Sequence, residues 1–241
     1  GDLQKWINSK LSFVFGIDQS SDNIRNSIDG ICARYLNYKQ KFIDVPDALF
    51  VYGNSTKNIK DLTAIYSETG KQIKKAVFGD GIKDEKILGK GVIKSFAKGQ
   101  DGFNISSIQF ALHYMFENTD TLQNFLTNIS ECTKLGGFLI GTCFDGSKIY
   151  NLLSNVKNGE MYTFFNRDKK KLLEITKKYS ADEFNSDISS LGYAIDVFQS
   201  SINKTFREYL VNFDYLTSIL ETFGFVPLTT SELQELKVNN L

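Results

Sequence analysis

Short apolar runs alternate with longer amphipathic stretches along the first two thirds of the chain. The runs are rich in β-branched and aromatic residues, which is typical of buried strands. They cover residues 12–17, 49–52, 103–110 and 138–142. Helical spacing predicts helices over residues 20–38, from Asn118 or Thr119 to the Gly136-Gly137 pair, and over residues 147–156. Strands that alternate with helices predict a mostly parallel sheet with crossover helices.

The pattern changes in the last third of the chain. Residues 161–165 and 193–198 predict a late antiparallel pair of strands at the edge of the sheet, and residues 208–223 predict an amphipathic helix. A stretch over residues 56–102, rich in Gly, Lys and Asp, predicts an insertion with short helices. With no linker or repeat visible, residues 1–241 are expected to form a single α/β domain.

Composition removes several classes of protein. The 241 residues carry 28 basic and 28 acidic side chains, so overall charge gives no argument for nucleic-acid binding. The three cysteines lack the spacing of a metal site, and no metal is predicted. No apolar run approaches the roughly 20 residues of a membrane-spanning helix. The chain is expected to have no membrane partner.

Residues 109–114 (QFALHY) carry the first candidate for chemistry. They follow a predicted strand and contain His113, the one histidine of the chain, between Gln109 and Tyr114. Ligands of open α/β sheets bind beyond the carboxyl ends of the strands. A lone histidine is nevertheless more often a structural residue, and that alternative stays open here.

Two further features allow a binding and a structural interpretation. Asp18 ends a predicted strand, where a carboxylate can accept both ribose hydroxyls, or can cap the next helix. The basic run over residues 167–171 (RDKKK) could attract RNA phosphate, although a solvated helix start is the favoured interpretation.

Taken together, several segments resemble the mRNA cap guanine-N7 methyltransferases, in the form found in large DNA viruses. The segments are residues 1–6 (GDLQKW), 15–18 (FGID), 109–114 (QFALHY), 135–142 (LGGFLIGT) and 208–211 (EYLV). The resemblance implies a class I, Rossmann-like methyltransferase fold. It also implies methyl transfer from S-adenosylmethionine to N7 of the guanosine cap, leaving S-adenosylhomocysteine.

The resemblance assigns five positions to the cofactor. Asp2 resembles the acid that closes the first glycine motif, and Asp18 the acid that binds the ribose. Asn54 stands where many members have an aspartate near the adenine, while Gln109 and Phe110 resemble residues beside the adenosine and methionine.

A second set of positions is assigned to the capped RNA. His113 and Tyr114 resemble residues of the cap pocket, and Arg34 an arginine that meets the cap phosphates. Glu208 resembles the glutamate that reads the guanine edge, with Phe198 as a further lining residue. From the sequence alone, a solvated or capping acid at a helix start is the favoured interpretation of Glu208. Because N7 has a free lone pair, no general base is expected, and proximity and orientation are expected to supply catalysis.

The resemblance also sets expectations about extent and context. The chain begins inside the glycine-rich motif and ends before a last strand of the family, so a domain truncated at both ends is expected. It would then be part of a larger capping enzyme with triphosphatase and guanylyltransferase domains. The alternatives are a degenerate scaffold domain and a methyltransferase with another acceptor. If the source is viral, the protein is expected to act in the cytoplasm, in a virus factory or in the virion. If the source is not viral, it is expected to act in the nucleus.

Overall fold

The computed structural model describes residues 2–237, which fall into two compact units. The first unit comprises Gly1–Ser106 and Thr127–Phe138, and the second comprises Ser107–Leu126 and Leu139–Leu241. Gly1, with which the 1–6 segment opens, and residues 238–241 lie outside the described residues. No described helix is long and apolar enough to cross a membrane.

The first unit is built largely from the amino-terminal half of the chain. Its elements are α1 (Leu3–Asn8), β1 (Phe13–Asp18), α2 (Ser21–Arg25), α3 (Ile31–Lys41), β2 (Asp47–Tyr52), α4 (Glu68–Val77) and α5 (Glu85–Ile93). Three longer elements, β3 (Phe103–Gln109), α6 (Thr119–Cys132) and β4 (Thr133–Thr142), contribute one end to each unit.

Strands β1 and β2 pair in parallel, in a register that runs from Phe13 opposite Asp47 to Asp18 opposite Tyr52. Their connection contains two helices instead of the single predicted one. The break follows α2, where the Asn26 side chain accepts the N–H groups of Ile28 and Asp29. Such local side-chain bonds compete with helical ones and end the helix.

The core of the first unit is aromatic. The Phe15 ring stacks on Phe103 at 6.4 Å between centroids and meets Phe78 edge-on at 5.9 Å. Val77, the last residue of α4, and Phe78, which follows it, are both buried. The 56–102 segment, predicted as an insertion with short helices, therefore supplies part of this core. On α1, which the sequence pattern did not predict, the Trp6 ring stacks on Phe50 at 6.1 Å.

The second unit is dominated by an antiparallel sheet. Its own elements are a 3-10 turn (Leu112–Phe116), α7 (Gly146–Leu152), β5 (Met161–Phe165), β6 (Lys171–Lys177), β7 (Ala194–Gln199), β8 (Lys204–Tyr209), α8 (Phe213–Thr222) and α9 (Thr230–Glu235). The four strands pair in the order β5-β6-β7-β8, each antiparallel to its neighbour.

Three sequence-based predictions for the later part of the chain are wrong. The 161–165 and 193–198 strands do not pair directly, because β6 lies between them. The predicted helix over 208–223 is the end of β8 followed by α8, which begins only after Asn212 accepts the Tyr215 N–H as its cap. The predicted helix end at Gly136-Gly137 is also wrong, since α6 ends at Cys132 and both glycines lie in β4.

The sheet has an inner and an outer face, because successive side chains of a strand point to opposite sides. Ile175, Ile195 and Val197 lie on the inner face and are buried in one cluster with Leu153. Glu208 is paired with Ile195 and therefore shares this inner face. The outer face carries a mixture of charged and aromatic side chains, namely Phe165, Glu174, Asp196, Phe198 and Arg207. Lys171 joins this face because the β5–β6 register shifts between Phe164 and Phe165.

Candidate functional site

Glu208 and His113 meet in the second unit. Glu208 projects from the edge strand β8, and His113 belongs to the 3-10 turn Leu112–Phe116, which the Gly192 N–H holds by donating to the Phe116 carbonyl. The His113 Nε2 and Glu208 Oε2 atoms are 3.8 Å apart, and each residue is only 5% exposed. The fold thus buries an acid and an imidazole side by side without a hydrogen bond at that distance.

Burial sets the protonation of both groups. It lowers the pKa of His113 to about 4 and raises the pKa of Glu208 to about 7, because removal from water disfavours each charged form. At neutral pH the imidazole is therefore uncharged, and Glu208 sits near the midpoint of its titration. Small changes in its surroundings then decide whether Glu208 is a carboxylate.

His113 also has unused hydrogen-bonding capacity. Both of its ring nitrogens are buried, and neither has a partner among the described residues. Buried polar atoms are nearly always bonded to protein or water, so two such atoms on one ring require a partner from elsewhere. The arrangement suits a polar ligand that inserts beside His113 and Glu208.

Tyr114 and Cys143 complete the surroundings of Glu208. The Tyr114 ring lies 4.3 Å from the His113 ring, at 62°. Burial, and then the Glu208 charge, raise the pKa of Tyr114. Burial, with Asp145 and Glu208, raises the pKa of Cys143 to about 11. Both groups stay protonated and uncharged. No sequence pattern singled out Cys143, which lies directly after β4.

An apolar cavity of about 150 Å³ lies in the same unit. Cys143 is in its wall, together with Leu112, the neighbour of His113 along the chain. The other lining residues are apolar and include Ile108, Phe125, Leu139, Phe213 and Leu216. Such walls keep the local dielectric low, which strengthens any electrostatic contact made by the nearby polar groups.

Gln109 ends β3 and Phe110 follows it, and both are fixed by the end of β4. The Thr142 hydroxyl donates to the Gln109 Oε1 at 3.0 Å, and the Phe110 N–H donates to the Thr142 carbonyl at 2.9 Å. Phe110 has a φ of +49° and is 64% exposed. A left-handed aromatic residue with an exposed ring is strained and free to contact a ligand.

Asp18 and Asn54 lie in the first unit, at the carboxyl ends of β1 and β2. The two Asp18 oxygens accept the Ser20 N–H at 2.7 Å and the Asn23 side-chain amide at 3.1 Å. A carboxylate has about four acceptor positions, so these bonds orient Asp18 and leave capacity for a ligand. The Asn54 Oδ1 accepts the N–H and hydroxyl of Thr56.

The remaining two positions of the first unit lie on or beside helices. Asp2 precedes α1 and forms an ion pair with Lys5 at 2.9 Å. Arg34 lies on α3, and its Nε is buried without a hydrogen-bond partner among the described residues. A buried guanidinium donor with spare capacity suits an anion such as phosphate.

The structure brings together some predicted site residues and separates others. His113, Tyr114 and Glu208 form one cluster in the second unit. Phe198 also lies in that unit, but it is paired with Thr205 and Glu174 on the outer face, whereas Glu208 faces inward. Phe198 is therefore not placed beside Glu208. Within residues 2–237, no three His, Cys, Asp or Glu side chains are arranged to hold a metal ion.

Comparison with known proteins finds relatives named as mRNA-capping proteins. The probable mRNA-capping enzyme of Acanthamoeba polyphaga mimivirus is 29% identical over 243 residues, which is 97% of this chain but 19% of the mimivirus protein. The mRNA cap guanine-N(7) methyltransferases of Debaryomyces hansenii and Eremothecium gossypii are 25% and 22% identical, over 94% and 93% of this chain.

The chain spans less than half the length of these relatives, 40% and 44% for the two fungal proteins. The family match extends over the whole chain, since the mRNA (guanine-N(7))-methyltransferase domain matches residues 1–241. The chain therefore belongs to the mRNA (guanine-N(7))-methyltransferase domain family.

Proposed function

We propose that this domain methylates N7 of the guanosine cap of mRNA, with S-adenosylmethionine as methyl donor. The observation that carries the proposal is the buried cluster of Glu208, His113 and Tyr114. The His113 ring, 3.8 Å from Glu208, is neutral and so does not compensate the charge of the Glu208 carboxylate. Family membership and the names of the relatives support the same activity.

Guanine fits the donors and acceptors of this cluster. Its N1–H and N2–H groups are neighbouring donors, and an ionised Glu208 can accept both. Adenine lacks that pair of donors and would leave the buried carboxylate unmatched, at the cost of its desolvation. The neutral His113 ring provides one donor and one acceptor, and neither nitrogen has a partner within residues 2–237.

Methyl transfer to N7 makes few chemical demands on the protein. N7 carries a free lone pair, so the guanine needs no deprotonation before it attacks. The bound cofactor supplies an electrophilic methyl group on a sulfonium centre. Glu208, His113 and Tyr114 hold the base in place and exclude water, so proximity and orientation supply the rate. The absence of charge on His113 agrees with a positioning role.

The cofactor-binding assignments are compatible with the local structure. Asp18 is oriented by two hydrogen bonds and retains acceptor capacity for the ribose hydroxyls. The exposed ring of Phe110 and the fixed amide of Gln109 suit contact with an adenosine. Asp2 and Asn54 complete the proposed set.

For the fold, we infer a class I, Rossmann-like methyltransferase architecture. The parallel β1–β2 pair with helices in its connection supports it, as does the antiparallel sheet in the later part of the chain. We also propose that capped RNA is the partner, with Arg34 as a phosphate contact. The mimivirus relative is named a capping enzyme, which supports a parent protein with further capping domains.

The direct test supplies the protein, with its natural flanks, with S-adenosylmethionine and RNA that ends in an unmethylated guanosine cap. Nucleotide mapping should find the new methyl group on guanine N7. A folded protein that binds cofactor and RNA but transfers no methyl group would instead support a scaffold role. A methyl group on any other atom would replace the proposed acceptor.

Asp18→Asn should weaken cofactor binding by roughly 10- to 100-fold, because one charged acceptor of the ribose hydroxyls is lost. Calorimetric titration with S-adenosylhomocysteine measures this without any activity. Asp29→Asn is the matched control, since Asp29 is exposed in the neighbouring loop and should leave the affinity unchanged. Equal affinities for the wild type and Asp18→Asn would remove Asp18 from the site.

The rate should depend on pH through Glu208. The raised pKa of about 7 means that Glu208 is protonated below neutral pH and cannot then accept both guanine donors. We expect kcat/KM for capped RNA to rise about tenfold per pH unit below about pH 7 and to level off above it. A profile that stays flat between about pH 5.5 and 8.5, with saturating cofactor, would contradict this role.

A further inference from the structure

The hairpin between β5 and β6 presents unpaired positive charge. Arg167, Lys169 and Lys170 are exposed at its tip, and no ion pair to them is present in the described part of the chain. The sequence pattern favoured a helix start here, but the segment is a turn. Asn166 fixes it, because its side chain accepts the Lys170 N–H at 2.8 Å and its backbone N–H donates to the Lys170 carbonyl.

Two aromatic side chains, one exposed and one half-buried, lie beside this tip on the outer face of the sheet. Phe165, the last residue of β5, is 61% exposed and is paired with Lys171. The Lys171 ammonium lies 4.7 Å from the centre of the Phe198 ring on β7. Phe165 and Phe198 thus stand two strands apart and about three residues apart along the sheet, roughly 14 Å, with the Lys171 ammonium between them.

Other charges of the outer face are already neutralised. Arg207 donates to Asp196 with two nitrogens, and Lys171 pairs with Glu174 at 2.8 Å. The hairpin tip therefore keeps a net positive charge, from Arg167, Lys169 and Lys170 against Asp168. The exposed Phe165 ring beside these cations suits a ligand that carries both flat rings and negative charge.

We propose that this surface, the hairpin tip with the outer face around Phe165 and Phe198, binds the single-stranded RNA that follows the cap. Bases stack on the two phenylalanine rings, and Arg167, Lys169 and Lys170 contact phosphates. Exposed aromatics with neighbouring cations on a sheet are a recurring platform for single-stranded nucleic acid. The inference extends the proposed function and rests on it.

The position of this surface suits RNA attached to a cap at Glu208. Glu208 lies on the inner face and this surface on the outer face, so the RNA passes around the edge of the sheet. The hairpin tip also lies six or more residues along the strand direction and two to three strands across from Glu208, so the path exceeds roughly 20 Å. A few linked nucleotides span that distance. A cap dinucleotide is too short to do so, and this gives the test its contrast.

The test compares a capped oligoribonucleotide with a cap dinucleotide as methyl acceptor, using the protein with its natural flanks. Lys169→Glu with Lys170→Glu should raise KM for the oligoribonucleotide about tenfold and leave the dinucleotide unchanged. It should also reduce the salt dependence of RNA binding by roughly 0.7 in log–log slope for each lost contact. Phe165→Ala should weaken RNA binding about fivefold or more.

The control is Lys86→Glu with Lys90→Glu, which reverses the same charge on exposed positions of α5. Equal effects of the two double variants would show a general charge effect and overturn the proposal. Unchanged RNA binding in the hairpin variants would also overturn it and favour a protein ligand for this surface. Fluorescence anisotropy measures RNA binding even if no methyl transfer occurs. Failure of the proposed function can therefore be distinguished from failure of RNA binding at this surface.

Discussion

Glu208→Gln should reduce kcat/KM for capped RNA by at least about 100-fold. The carboxylate accepts two guanine N–H groups, and a hydrogen bond to a charged acceptor contributes about 1.5–3 kcal/mol. Glutamine keeps the size of the side chain but turns one acceptor into an amide donor, which then faces a guanine donor. Initial-rate assays over a range of capped RNA concentrations measure the loss.

The same variant should fold at least as well as the wild type. Because the pKa of Glu208 is raised in the folded protein, ionisation costs stability as pH rises from about 4.5 to about 7. Glutamine avoids that cost, so its melting temperature at pH 8 should equal or exceed that of the wild type. Glu221→Gln, an exposed glutamate on α8, is the matched control for activity. Undiminished methylation by Glu208→Gln would reject the assigned role.

Gly146→Ala should strongly destabilise the protein. A Cβ at Gly146 would lie 2.3 Å from the Val211 carbonyl oxygen and 2.7 Å from two other backbone atoms of Val211. Backbone cannot rotate away as a side chain can, and the Gly146 N–H also donates to that carbonyl. We expect a loss of about 3 kcal/mol or more, which lowers the melting temperature by roughly 6–12 °C.

Because Val211 follows Glu208 by three residues, the same substitution should also impair capped-RNA methylation below the melting temperature. Gly91→Ala is the control, since nothing lies within 4 Å of a Cβ at that helical position in α5. Alanine there should stabilise by about 0.5–1 kcal/mol. Similar denaturation curves for the two alanine variants would show that the Gly146–Val211 contact is more yielding than its distances indicate.

The strands of the first half of the fold could be predicted from the sequence because they are short apolar runs between helical patterns. The wrong predictions occur where the hydrophobic pattern does not reflect the boundaries of the strands and helices. Strand β6 (KLLEITK) is half polar, since only its inner face is buried, and it shows no continuous apolar run. The apolar periodicity through 208–223 continues across the β8–α8 junction, and only the capping bond of Asn212 marks the boundary.

The candidate site shows a similar division. His113 and Tyr114 could be selected because polar residues follow a buried strand, and Glu208 through the family resemblance. Their proximity could not be predicted, because it depends on an edge strand that was read as a helix. The position of Phe198 depends on strand register, and a shift of one residue would reverse the face it occupies.

The stacking of Trp6 on Phe50 has a practical consequence. Trp6 is the single tryptophan of the 241 residues, so intrinsic fluorescence excited at long wavelength originates from one ring in the first unit. Titrations that alter this emission report events sensed by α1 and β2, close in sequence to Asp2. Far-ultraviolet dichroism reports the antiparallel sheet as well. Comparison of the tryptophan fluorescence with the far-ultraviolet dichroism therefore shows whether a ligand or a denaturant first affects the first unit or the antiparallel sheet.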